Sequence, residues 1–293
     1  MKQYLKLMRV HHYLKNGLIF LPLLFSGRLF EKAPLLQVIC GFAAFCLTAS
    51  AVYIINDIRD VEHDRSHTKK SKRPIASGAV PVFHAVILCV CLLGLAAIMN
   101  ILSGSSPLSW LYLCIYLGIN VLYSMGLKNI PLLDIAILVT GFVIRVLYGS
   151  CISGIALSHW MYLTVISMSF YLGLGKRRNE INKEGETGRK VLRFYNHDFL
   201  DKNMYMCLGL TIAFYALWSV DPGTVARPAG QYIVWTVPII MLICMKYSLN
   251  IEGDSHGDPV DVILGDRTLM ALAAVYMVIM FGLIYLLPLM MRV

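Results

Sequence analysis

Apolar runs of about twenty residues recur along the whole chain, and nothing else in the sequence restricts the fold so strongly. Leu35 to Ile55 is the clearest: it contains no charged residue and passes directly into a densely charged stretch. At about 1.5 Å of rise per residue, twenty helical residues cross a bilayer's hydrocarbon core. Lipid offers no hydrogen bonds, so each spanning segment must satisfy its own backbone, and runs of this length do so as helices. The runs lie near residues 10–30, 34–56, 80–102, 107–126, 130–152, 159–176, 203–220, 230–250 and 267–290. They predict an all-α membrane protein with about nine transmembrane helices. With 58% hydrophobic residues and 15% charged, nearly all of the chain lies in these runs or their links. The expectation is one integral-membrane domain over 1–293, with no soluble domain left over.

The formal charge of +9 is unevenly placed. Lys2, Lys6 and Arg9 precede the first run. Six cations follow the second, Lys128 follows the fourth, and a basic stretch from Lys176 to Lys202 follows the sixth. The alternate links carry few. That asymmetry predicts a cytoplasmic N-terminus, an outside C-terminus, and cytoplasmic loops after the even-numbered spans, in a cell membrane. Basic loops facing anionic lipids explain the charge without nucleic acid, for which no motif is present. The opening segment resembles a signal peptide, but Val10 to Phe30 could form a helix if its polar groups face inward, and a retained first helix is the expectation. The eight cysteines lie in or beside apolar runs without C-x-x-C spacing, which reads as helix packing rather than zinc or disulfides.

The charged stretch is Asn56 to Gly78, with four acidic residues, six basic ones and two histidines. On a helix, Asp57, Asp60 and Asp64 are spaced i, i+3 and i+7 and share one face, with Asn56 beside them. Such oxygen donors suit Mg²⁺, which is usually held by one or two carboxylates plus a substrate's phosphates. The cations that follow suit phosphate oxygens. A solvated helix end laced with ion pairs is the competing explanation, and the R-P-I-A-S-G turn at Arg73–Gly78 weighs against it. The expectation is a metal–diphosphate site at a membrane face, with Asn56, Asp57, Asp60 and Asp64 as metal ligands and the three aspartates as catalytic groups.

N-D-x-x-D-x-x-x-D followed by D-R-x-H-x-x-K-x-x-R-P-I-A-S-G resembles the first signature of the UbiA family of intramembrane prenyltransferases. The resemblance implies an all-helical fold of nine spans around a central polar cavity, with the first Asp motif holding a diphosphate through Mg²⁺. Arg9–Gly27, Tyr123–Asp134, Gly141–Gly149, Gly175–Glu180 and Asp258–Arg267 are similar to one branch of the family. That branch transfers 5-phosphoribose from phosphoribosyl diphosphate (PRPP) to a polyprenyl phosphate, giving an activated lipid-linked pentose for cell-envelope glycans. One departure is Thr68, where the family has Pro after the His.

The residues themselves agree with that branch. A prenyltransferase that ionises an allylic diphosphate uses a second Asp-rich motif after span 6. Here that loop is mainly basic, and Asp198 and Asp201 are a poor substitute. PRPP and a lipid phosphate together bring three phosphate-bearing groups, which call for more cations and fewer carboxylates. Both reactions expel diphosphate from a carbon able to bear positive charge, so gripping the leaving group and placing the nucleophile suffice. A lipid phosphate is already anionic and needs no strong base; inversion at the ribose C1 is expected.

Several other residues are candidates for substrate contact. Lys15 and Asn16 begin span 1, where Lys15 either snorkels to the interface or reaches a phosphate. Lys128 ends span 4, where a cation also suits the helix C-terminus, and Tyr123 also suits the interface. Asp134 and Arg145 are intramembrane charges about 16 Å apart along one helix, so each is expected to have a different partner. Lys176, Arg177, Glu180 and Tyr195 belong either to the site or to a topology-setting basic loop. Asp258–Arg267 reads as a structural bend, with Asp266 capping the last helix.

The reading has Arg65, His67, Lys70 and Arg73 on phosphate or ribose oxygens. Lys15, Asn16, Tyr123, Lys128, Arg145, Lys176, Arg177, Glu180 and Tyr195 complete the substrate contacts. The partners are PRPP, a polyprenyl phosphate and membrane lipids, and a homo-oligomer is compatible. The alternative is a prenyltransferase joining a polyprenyl diphosphate to an aromatic quinone or haem precursor. A transporter is a third reading, but paired inverted repeats are not visible and the polar groups gather at one face.

Overall fold

The computed structural model describes residues 2–66, 70–104, 106–184, 190–252 and 258–291, and contains no β-strand among them. The first half comprises α1 (Lys2–Met8), a 3₁₀ stretch (Val10–Phe20), α2 (Leu21–Ser26), α3 (Lys32–Arg59), α4 (Val61–Arg65), α5 (Val82–Leu102), α6 (Pro107–Met125) and α7 (Leu133–Ser153). The second half comprises α8 (His159–Glu184), α9 (His197–Val220), α10 (Pro222–Val225), α11 (Val237–Glu252), α12 (Pro259–Gly265), α13 (Arg267–Phe281) and α14 (Leu287–Met290). The last turns run through a π-helical stretch, Gly282–Leu286, and a 3₁₀ stretch, Gly230–Thr236, leads into α11.

Among the described residues, seven helical segments are long and apolar enough to cross a membrane. They are Lys32–Arg59, Val82–Leu102, Pro107–Met125, Leu133–Ser153, His197–Val220, Gly230–Glu252 and Arg267–Met290. The chain is therefore a multi-pass membrane protein. The other two expected spans have a different character. Residues 10–26 form the 3₁₀ stretch and α2 instead of one α-helix, and the rise of about 2 Å per 3₁₀ residue gives these 17 residues a length near 30 Å. Helix α8 is 26 residues long but less apolar, because it carries the buried Ser167, Ser169, Arg177 and Asn179. The second expected span also ends later than its apolar run: α3 continues through Asn56 and Asp57 to Arg59.

Two compact units emerge from the contacts. One contains Met1–Leu24, Arg28–Lys128 and Ile144–Ala156; the other contains Phe25–Gly27, Asn129–Val143 and Leu157–Val293. In the first, Ile19, Leu23, Val38, Phe45 and Tyr148 form one buried cluster, and Leu7, Ile54, Ile75 and Val80 belong to another. Lipid is as apolar as leucine, so close packing rather than escape from water holds such helices together, and small residues permit the approach. A Cβ on Gly149 of α7 would strike the carbonyl oxygen of Ile19, and one on Gly41 of α3 would strike Ile152. The glycine closing the Gly141–Gly149 motif is therefore a backbone contact. Outward-facing apolar residues such as Phe83 and Val90 on α5 are left for lipid.

In the second unit, Ile135 and Val139 pack with Tyr171, Leu174, Leu200, Met204 and Ile251. Gly175 lies in this core, where a Cβ would come 2.8 Å from the Ile251 side chain. Helix entries follow side-chain capping. Asn196 accepts the Phe199 amide at 2.7 Å to begin α9, and Asp266 accepts the Leu269 amide at 2.7 Å to begin α13, the capping role expected of it.

Candidate active site

Asp57 sits in the last turn of α3, and its side chain is 2% exposed. The helix kinks at Asp60, whose φ of −86° and ψ of 8° separate α3 from α4. Backbone bonding nevertheless bridges the kink, since Asp60 donates to the Asn56 carbonyl and Asp64 to the Asp60 carbonyl, at 2.9 and 2.8 Å. Asp57 and Asp64 thus stay on one side, as their i, i+7 spacing requires. Arg73 unites them: its Nη1 lies 3.2 Å from Asp57 Oδ1 and 2.7 Å from Asp64 Oδ2.

The R-P-I-A-S-G turn is what presents Arg73. Ile75 is buried in the core beside α3, Gly78 takes a left-handed φ of 76°, and the Val80 amide donates to the Pro74 carbonyl at 2.9 Å. Glycine suits that φ because it lacks the Cβ that would clash. A second guanidinium reaches the same carboxylate: Arg9 Nη2 lies 2.7 Å from Asp57 Oδ1. Asp60 pairs instead with Lys128, at 3.3 Å, and the Ser124 hydroxyl donates to Asn56 Oδ1. Arg65 makes a solvent-exposed pair with Glu62. Lys15, Lys70 and Tyr123 lie in the same unit and are partly buried, while His67 and Thr68 lie outside the described residues.

Deeper in this unit, Arg145 is 7% exposed and donates through Nε to Asn16 Oδ1 at 2.7 Å and through Nη2 to the Tyr116 hydroxyl at 3.1 Å. Its guanidinium also lies 5.0 Å from the ring centres of Phe45 and Tyr116. Charge spread over aromatic faces lowers the cost of burying it.

Asp134, in the second unit, is fully buried. Arg177 Nε donates to its Oδ2, and the Tyr195 hydroxyl donates to its Oδ1 at 2.6 Å. Arg177 is also fully buried and donates to Glu180, while Tyr195 accepts the Leu132 amide at 2.6 Å. Burial, reinforced by the carboxylate beside it, pushes the Tyr195 hydroxyl up to about 12, so it remains a donor at neutral pH. Asp134 and Arg145 each have a different partner, as expected. Lys176 lies 4.0 Å from Asp258, and the acidic residues at the start of α9 are paired, Asp201 with Arg178 and Asp198 with Lys202.

Arg9 was not among the residues singled out from the sequence, and neither was Ser124. Arg9 stands 48 positions before Asp57, and its signal was its place at the head of the Arg9–Gly27 motif. Among the described residues, no three His, Cys, Asp or Glu side chains converge on one metal position. Asp57 and Asp64 nonetheless fit Mg²⁺, because one cationic nitrogen already bridges their oxygens, and two carboxylates plus substrate phosphates is a usual magnesium shell.

Fold and site together define a multi-span helical membrane protein with paired carboxylates and guanidinium groups at a helix end. The chain belongs to the UbiA prenyltransferase family, whose model matches residues 19–259. A decaprenyl-phosphate phosphoribosyltransferase of Corynebacterium glutamicum is 32% identical over 97% of this chain and 87% of its own. One of Mycolicibacterium smegmatis is 32% identical over 92% of this chain and 88% of its own. Among solved structures, a UbiA homologue from Archaeoglobus fulgidus bound to DMAPP and Mg²⁺ superposes with a TM-score of 0.71. It is 19% identical, over 96% of this chain and 99% of that one, and so shows the shared fold.

Proposed function

We propose that this membrane transferase moves 5-phosphoribose from PRPP to a polyprenyl phosphate of the decaprenyl type, releasing diphosphate. The observation that carries the reading is the pairing of Asp57 and Asp64 through Arg73, with Arg9 and Lys128 alongside. It combines two carboxylates for a divalent ion with cations for phosphate oxygens. The names of two relatives, both decaprenyl-phosphate phosphoribosyltransferases, support a phosphoribosyl donor and a polyprenyl phosphate as the substrates. The acidic residues in the last turns of α8 and the first turns of α9 support it too, since Glu180, Asp198 and Asp201 are each paired with a cation.

Asp57 and Asp64 would hold Mg²⁺ with help from Asp60 and Asn56, and the ion when bound would neutralise the diphosphate leaving group. Arg73 and Lys128 would turn from their carboxylates to phosphate oxygens, with Lys15, Arg65, His67 and Lys70 as further contacts and Tyr123 bordering the ribose. Asn16 and Arg145 fix each other, which makes theirs a positioning role. In the second unit Arg177 and Tyr195 hold Asp134 in the same way, Glu180 accepts from Arg177, and Lys176 adds a cation there. The lipid phosphate attacks C1 in line as diphosphate departs, so the ribose is inverted. The site would face the cytoplasm, a reading that the basic loops support.

The test is purified protein with Mg²⁺, labelled PRPP and a polyprenyl phosphate, run beside an allylic diphosphate with an aromatic acceptor. Label should enter lipid from PRPP. Label entering only from the allylic diphosphate would establish the quinone- or haem-precursor alternative, and a retained anomer by NMR would exclude the single displacement.

A further inference from the structure

Arg9 is held in an unusual way. It closes α1 with φ 52° and ψ 48°, a left-handed position that glycine or asparagine ordinarily takes. Strained backbone of this kind persists where the surroundings over-determine it, and it clusters at functional sites. Here the side chain is fixed at both its face and its edge: the guanidinium lies 4.6 Å from the Tyr53 ring centre and bonds Asp57 at 2.7 Å. It is also still 22% exposed, so it can move without unpacking a core.

The charges around it balance. Asp57 and Asp64 carry two negative charges, and Arg9 and Arg73, bonded to them, carry two positive ones. A divalent cation arriving alone would enter a neutral cluster and face two guanidinium groups without a counter-charge. A diphosphate arriving alone would find both guanidinium groups already committed. Arriving together, the metal takes the carboxylates and the guanidinium groups pass to phosphate oxygens, so every charge keeps a partner.

We infer that Arg9 is a displaceable counter-ion that couples metal binding to diphosphate binding, holding Asp57 until both ligands are present. The inference rests on the proposed donor only in needing a diphosphate. Coupling of this kind is reciprocal: PRPP raises the affinity for Mg²⁺ by the factor that Mg²⁺ raises the affinity for PRPP.

The experiment titrates Mg²⁺ into the full-length protein in detergent micelles by calorimetry, with and without saturating PRPP and with no lipid acceptor present. Wild type should bind Mg²⁺ roughly tenfold more tightly with PRPP than without it, well inside the usual range for coupled sites. Arg9→Asn suits the left-handed backbone and removes the charge. It should bind Mg²⁺ alone roughly tenfold more tightly than wild type and lose most of the coupling. Arg9→Gly, equally at ease in that backbone, should behave alike, and Arg9→Lys should restore part of the coupling. Unchanged Mg²⁺ affinity in both uncharged variants, or coupling left intact, would overturn the inference. If an allylic diphosphate shows this Arg9-dependent coupling and PRPP binds to neither form, the inference stands and the PRPP reading falls. If PRPP binds and the coupling ignores Arg9, the reverse holds.

Discussion

Asp57 carries more of the site than any other residue, because two guanidinium groups converge on one of its oxygens while its side chain is 2% exposed. Asp57→Asn keeps the shape and removes the charge. Turnover should fall by at least about a hundredfold, since even partners one shell out from a metal commonly cost 10–100-fold. Circular dichroism should show the helices retained; near-normal turnover would remove Asp57 from the metal role. Arg73→Gln strips Asp57 and Asp64 of their shared partner and should cost on the order of 1–3 kcal/mol in stability. That is less than a fully buried pair would cost, because Arg73 keeps contact with solvent. Tyr195→Phe should cost about 1–3 kcal/mol, as expected for a hydrogen bond to a charged group. The folded value of Tyr195 is raised, so its contribution is fully present below the ordinary tyrosine value and is lost as pH rises through about 12. Thermal midpoints of wild type and Tyr195→Phe should therefore keep a constant gap through neutral pH.

Helix α7 shows how an element can carry two duties along its length. Near its start Asp134 is closed off by Arg177 and Tyr195; near its end Gly149 meets the Ile19 carbonyl. Gly149→Ala places a methyl against backbone, which cannot rotate away as a side chain would. The loss should exceed the roughly 1–3 kcal/mol typical of overpacking and appear as a lower thermal midpoint in detergent. Periodicity and composition made most of these helices legible. The α-helix expected over 10–30 was not, because an apolar pattern does not distinguish α from 3₁₀ winding, and Arg9 just before it takes a backbone conformation that its side-chain type does not announce. The pairing of Asp57 with Asp64 followed from helical spacing, which puts them on one face, whereas Asp60, at the break between α3 and α4, turns to Lys128.

For the molecule as a whole, the basic links predict a cytoplasmic N-terminus and an outside C-terminus. A C-terminal fusion to a phosphatase that folds only outside the cytoplasm should be active, and a cytoplasmic reporter at the same place silent; the opposite pattern would invert the orientation. The sequence by itself determined the helical membrane class, the run of charged motifs and the carboxylates suited to Mg²⁺. These depend on local quantities: hydropathy over twenty residues, charge between runs and the 3.6-residue period. Only the tertiary structure decided which charges meet. Arg9 reaches Asp57 across 48 positions, Lys128 reaches Asp60 across 68, and Arg177 reaches Asp134 across 43. A buried charge must find a counter-charge or polar and aromatic partners wherever packing brings them, and packing is not written in the spacing of either residue.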